Sequence, residues 1–101
     1  MAVYAALIPS GFTFDVFGDM FVSDVSSSRI RKVASSSGLI TTVAGNGSFG
    51  FNGNNILATR AILASPRIIT SDSLGNLYVI DEYSYRIRKI TRSTGIIGCK
   101  C

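Results

Sequence analysis

The chain has 101 residues, 47% apolar and 16% charged, with ten Lys or Arg against six Asp or Glu and a net charge of +4. That is too apolar for a disordered segment and holds no apolar run long enough to span a membrane. The lack of histidine removes the commonest general base and metal ligand.

An internal repeat dominates the chain. Pro9 matches Pro66, Asp15 matches Asp72, Gly18 matches Gly75, Asp24 matches Asp81, and Arg29-Ile30-Arg31-Lys32 matches Arg86-Ile87-Arg88-Lys89, each pair 57 residues apart. Gly38 and Gly95 hold the same register, so two copies of one unit fill nearly the whole chain. Such a unit cannot bury its apolar face alone and must stack on neighbours. Residues 1–8 read as the remnant of a preceding linker, 9–65 as repeat 1 with its linker, and 66–101 as a shortened repeat 2. The opening Met1 to Ile8 lacks the basic start of a signal peptide.

In chain order, the first copy predicts strands at 11–14, 20–24, 29–33 and 39–44, rich in Phe, Val, Ile and Thr and separated by Gly, Ser and Asp turns. Loops this short enforce antiparallel neighbours. A four-residue loop in the central hairpin sets Asp24 opposite Arg29, Val22 opposite Arg31 and Met20 opposite Val33. Asp24–Arg29 and Asp81–Arg86 are then expected as cross-strand ion pairs, each contributing about 0.2–1 kcal/mol. Met20, Val22 and Val33 fall on one face and Phe21 and Ile30 on the other. Both faces are apolar, which predicts a sheet packed between two others, the arrangement of propeller blades.

The linker opens with the turn-rich 45–55, whose Gly45-Asn46-Gly47-Ser48-Phe49-Gly50 spells G-x-G-x-x-G. No βαβ unit surrounds it and no helix follows directly, so a dinucleotide site is rejected. The Ala-rich 56–65 predicts about two helical turns, stopped by Pro66. Cys99 and Cys101 form a terminal C-x-C, too close for an unstrained mutual disulfide and lacking further zinc ligands.

The run Asp72-Ser73-Leu74-Gly75-Asn76-Leu77-Tyr78-Val79-Ile80-Asp81, the following Arg86-Ile87-Arg88-Lys89-Ile90, and the linker Thr42-Val43-Ala44-Gly45-Asn46-Gly47 through Gly50-Phe51, Gly53, Ala58-Thr59, Ala61, Leu63 and Pro66 resemble the NHL-repeat β-propellers of the long-linker, teneurin-like variety. Departures fall at Ser27 and Ser84, where the family usually has Asn, and at Ser28 and Tyr85, where His is common. The resemblance implies an all-β fold of two adjacent four-stranded antiparallel blades, the second truncated, in an incomplete propeller. With no constellation of acid, base, nucleophile or metal ligand in the chain, a non-enzymatic scaffold presenting loops to a protein or carbohydrate partner, without cofactor, is expected, and the resemblance implies an extracellular or cell-surface setting. Missing neighbours would come from a longer parent chain or from self-association. The alternative is single-stranded RNA binding through the recurring Arg29, Arg31, Lys32, Arg86, Arg88 and Lys89.

Overall fold

The computed structural model describes residues 9–99. Four strands, β1 (Pro9–Phe14), β2 (Met20–Asp24), β3 (Arg29–Val33) and β4 (Ile40–Ala44), form the first sheet in the order β1-β2-β3-β4. The second contains β5 (Ile56–Leu57), β6 (Pro66–Ser71), β7 (Leu77–Asp81), β8 (Arg86–Ile90) and β9 (Ile96–Cys99), in the order β5-β9-β8-β7-β6. Every strand pair in both sheets is antiparallel. These are two adjacent blades of a β-propeller. Among the described residues no helix is long and apolar enough to cross a membrane.

The expected hairpin registers hold: Asp24 faces Arg29, Val22 faces Arg31 and Met20 faces Val33. The loop is one 3-10 turn over Val25–Ser27 that ends on Ser28 in the left-handed region, and Tyr85 repeats that conformation in the second copy. Asn or Gly adopts it more readily than Ser or Tyr. Here the hairpin closure imposes it.

The linker departs from expectation. Two helical turns are predicted over 56–65, but Ile56 and Leu57 pair with Ile97 and Ile96 as a fifth strand, and only Ala58–Arg60 forms a 3-10 turn. Backbone bonds from Asn55 N–H to the Ile97 carbonyl and from Ala58 N–H to the Gly95 carbonyl, both 2.8 Å, tie this segment to the edge of β9. Ala58, Ala61 and Leu63 are then sealed into the core at 1%, 0% and 0% exposure. Edge pairing and burial outweigh the weak helix propensity of the alanines. Thus a segment counted with the first repeat in sequence belongs to the second sheet in space. Cys99 is disulfide-bonded, and Cys101, the other cysteine of the C-x-C, lies outside the described residues.

The core lies between the sheets. Phe21, Ile30 and Ala44 from the first sheet meet Ile69, Leu77, Val79, Ile90 and Ile97 from the second, joined by the linker's Ala58, Ala61 and Leu63. The sheets approach closely at Gly11, where a Cβ would stand 2.7 Å from the Arg67 carbonyl oxygen. Ser23 Oγ donates to that same oxygen at 2.9 Å, and Ser71 Oγ donates to the Phe14 carbonyl at 2.9 Å.

If the linker is core rather than a surface helix, Leu63→Ala should lower the unfolding free energy by about 2–5 kcal/mol. Leu57→Ala, at a position 42% exposed, should cost less than about 1 kcal/mol. Urea unfolding followed by circular dichroism measures both, and equal effects would contradict this placement.

Candidate functional site

The hairpin carboxylates are placed as the register requires, but their ion pairs run diagonally. Asp24 pairs with Arg31 at 3.5 Å and Asp81 with Arg88 at 3.9 Å, not with Arg29 and Arg86 as expected from the sequence. The linker draws the other two arginines away. Arg29 Nη2 donates to the Asn46 carbonyl at 3.1 Å, with its guanidinium lying against Gly47. Arg86 stacks on the Phe51 ring at 3.8 Å and donates to the Ser84 carbonyl.

Each carboxylate is also bound into its own loop. Asp24 accepts from Ser26 and Ser27 hydroxyls at 3.0 and 2.8 Å. Asp81 accepts from the Ala64 backbone N–H at 2.8 Å and the Ser84 hydroxyl at 3.0 Å. Burial pushes the Asp81 pKa up, against the Ala64 and Ser84 hydrogen bonds and the Arg88 and Arg86 charges. Burial also lowers the Arg88 pKa, opposed by Asp81 and reinforced by Arg86. Such a pair holds the linker in position.

The six recurring basic residues do not form one surface. Lys32 and Lys89 lie on the opposite sheet faces from their neighbouring arginines. Lys32 pairs with Asp19 at 3.4 Å, while Lys89 lies 5.9 Å from the Tyr78 ring. Arg31 donates to Thr42 Oγ1 at 2.6 Å, and Arg88 is wholly buried.

What the structure brings together instead is a cleft of about 430 Å³ between the two sheets. Its floor is Phe21, Val43, Leu77 and Ile90, and its rim is the β1–β2 loop facing the β8–β9 turn. Asp15 shapes the loop by accepting the Phe17 and Asp19 N–H groups at 2.9 and 3.0 Å. That fixes Phe17 at the mouth, with the Arg92 guanidinium over its ring at 4.1 Å. Asp19 accepts the Ser35 N–H at 2.8 Å and pairs with Lys32, which lies 6.0 Å from the Phe21 ring. The Ser35 N–H bond leads in holding the Asp19 pKa below the ordinary carboxylate value. Partial burial works against it, and the Ser35 side chain and Lys32 add to it.

The repeat shows which features are structural. Asn76 stands where Asp19 does and accepts the Arg92 N–H at 3.0 Å, as Asp19 accepts that of Ser35. The turn therefore needs only an acceptor oxygen; the negative charge of Asp19 is an addition peculiar to the cleft. Sequence reading missed Phe17 and Arg92. An aromatic between two turn aspartates was the available signal for Phe17. Arg92 offered none, because its repeat counterpart is Ser35.

No family model and no curated protein matches the chain. Solved structures do. A structural genomics protein of unknown function from Bacteroides thetaiotaomicron VPI-5482 superposes with a TM-score of 0.71 at 26% identity, over 80% of this chain and 20% of that one. Streptogramin B lyase superposes with a TM-score of 0.61 at 20% identity, over 87% of this chain and 24% of the lyase. These likenesses support the propeller fold. The chain spans about a fifth to a quarter of the length of these neighbours.

A depressed Asp19 pKa stabilises the fold above the unfolded carboxylate value, and this contribution disappears as pH falls through the folded value. Asp19→Asn should therefore flatten the decline in urea midpoint on acidification below about pH 4. Parallel curves for the two proteins between pH 2 and 6 would remove Asp19 from the account.

Proposed function

We propose that the chain is a pair of NHL-type blades serving a non-enzymatic binding scaffold, with the inter-blade cleft as the surface that meets a protein or carbohydrate partner. The observation that carries this reading is the way the polar groups of the cleft are already engaged. Asp15 is bound to backbone N–H groups, Asp19 is paired with Lys32, and Arg92 is stacked on Phe17. Groups fixed in this way present shape and charge to a partner without needing to exchange protons. The apolar floor supplies contact area, and the charged rim supplies orientation. Catalytic acids, by contrast, would need to meet a reacting atom directly.

Single-stranded RNA is the less supported alternative. Of the repeated basic residues, Arg88 is sealed and Arg31 and Lys32 are engaged with Asp24 and Asp19. Stacking aromatics do not recur either: Tyr83 and Tyr85 have serine counterparts in the first copy.

Panning the chain against peptide and glycan libraries, then repeating with Phe17→Ala and Lys32→Gln, tests the assignment. Ligands of the cleft should lose roughly tenfold or more in affinity, about 1.4 kcal/mol, with the thermal midpoint little changed. Ligands indifferent to both changes would place the surface elsewhere. Lyase or hydrolase activity abolished by one substitution would overturn the non-enzymatic reading, and salt-sensitive RNA retention on filters would favour the alternative.

A further inference from the structure

The two sheets mate through different faces, and the repeat identifies what each free face resembles. In the first sheet the mating face carries the cross-strand row Gly11, Ser23, Ile30 and Ala44. Ser23, Ile30 and Ala44 are each 0% exposed. The same row in the second sheet is Ile68, Ile80 and Ile87, on its free side. These isoleucines are 57%, 41% and 45% exposed.

The other half of the junction shows the same relation. The second sheet mates through rows containing Ile69, Val79 and Arg88, and Ser71, Leu77 and Ile90. Their counterparts in the first sheet begin with Phe12 and Phe14, which lie edge to face with ring centroids 6.1 Å apart. Phe12 and Phe14 are 62% and 57% exposed.

We propose that a second copy of this chain docks head to tail, laying its Phe12–Phe14 face on the Ile68–Ile80–Ile87 face of the first. The two faces are repeat counterparts of faces that already pack together within one chain. Both carry large apolar side chains in open positions, where isolated molecules normally carry polar ones. Because the faces differ, the contact is heterologous, and every copy added leaves one face of each kind open. Its detail departs from the internal junction. Gly11 and Ser23 approach the Arg67 carbonyl closely, but Ile68 and Ile80 cannot, so the copies stand further apart at the inner strands with a full layer of side chains between them. This association is independent of what the cleft binds.

Sedimentation velocity over a concentration series, using the full chain, tests it. Wild type should gain mass with concentration. Ile80→Lys/Ile87→Lys and Phe12→Lys/Phe14→Lys should each weaken self-association at least about tenfold. Mixing the two variants should restore a 1:1 dimer that grows no further, because each supplies the face that the other lacks. Matching circular dichroism spectra confirm folding, and Ile87→Ser and Phe12→Ser replace a double variant that fails to fold. A strictly monomeric wild type overturns the proposal. So does assembly lost in only one variant, which indicates like-face pairing, and so does assembly unchanged in both, which indicates pairing through the β4 edge.

Discussion

At Gly11 the first sheet comes so close to the Arg67 carbonyl that no side chain fits between them. Around this point Ser23 and Ser71 exchange hydrogen bonds with main-chain carbonyls of the opposite sheet, keeping backbone oxygens satisfied where water is excluded. From this seam outward Ile30, Val79, Leu77 and Ile90 fill the space between the sheets. Complete burial of one such aliphatic side chain contributes about 1.5–3 kcal/mol. Among the described residues no third sheet lies against either one to supply that burial. The joined pair, rather than either repeat, is therefore the smallest unit with an interior.

The same sequence positions do different work on the two sides of this seam. Asp24 and Arg31 lie on the two inner strands of the first sheet, Asp24 buried and Arg31 partly open to solvent. Asp81 and Arg88 lie beneath the linker, both fully buried, with Gly53 accepting from Arg88 at 2.8 Å and Phe51 beside the guanidinium. Arg88 Nε and Nη1 nevertheless have no hydrogen-bond partner among the described residues. A buried ion pair this loosely closed is weak evidence for stability, since desolvation offsets much of its attraction. Its evident consequence is positional: it fixes the linker, through Ala64 and Gly53, over the second blade.

The strands and their registers were legible because turn length and a strict repeat determine them locally. Which face of each sheet would be buried was not, since both faces of both copies are apolar and only the partner sheet distinguishes them. The diagonal ion pairs escaped for a similar reason. Pairing Asp24 with Arg29 is correct as backbone register, but the choice between Arg29 and Arg31 depends on Asn46 and Gly47, which arrive from the linker. The fifth strand was masked by alanines whose intrinsic preference is helical. The cleft combines a loop near residue 17 with a turn near residue 92, and no local pattern links them.

Twisted sheets joined closely at their inner strands diverge toward their outer ones. Here the linker fills one end of that wedge with Ala58, Ala61 and Leu63, while the other end stays open as the cleft above Phe21, Leu77 and Ile90. An opening of this kind follows from stacking, and its chemistry depends on the residues that each copy places along the row. Within the chain that row offers Phe21 and Lys32, with Asp19 neutralising the lysine. On the free face of the second sheet it offers Tyr78 and Lys89, with the uncharged Asn76 in place of Asp19 and Asp72 already bound to the Tyr78 hydroxyl at 3.0 Å. A cleft formed at that face by any further blade would have Lys89 without a carboxylate from the Asn76 turn. Openings formed in this way share a shape and differ in the groups set along the row, Lys32 with Asp19 in one and Lys89 with Tyr78 in the other.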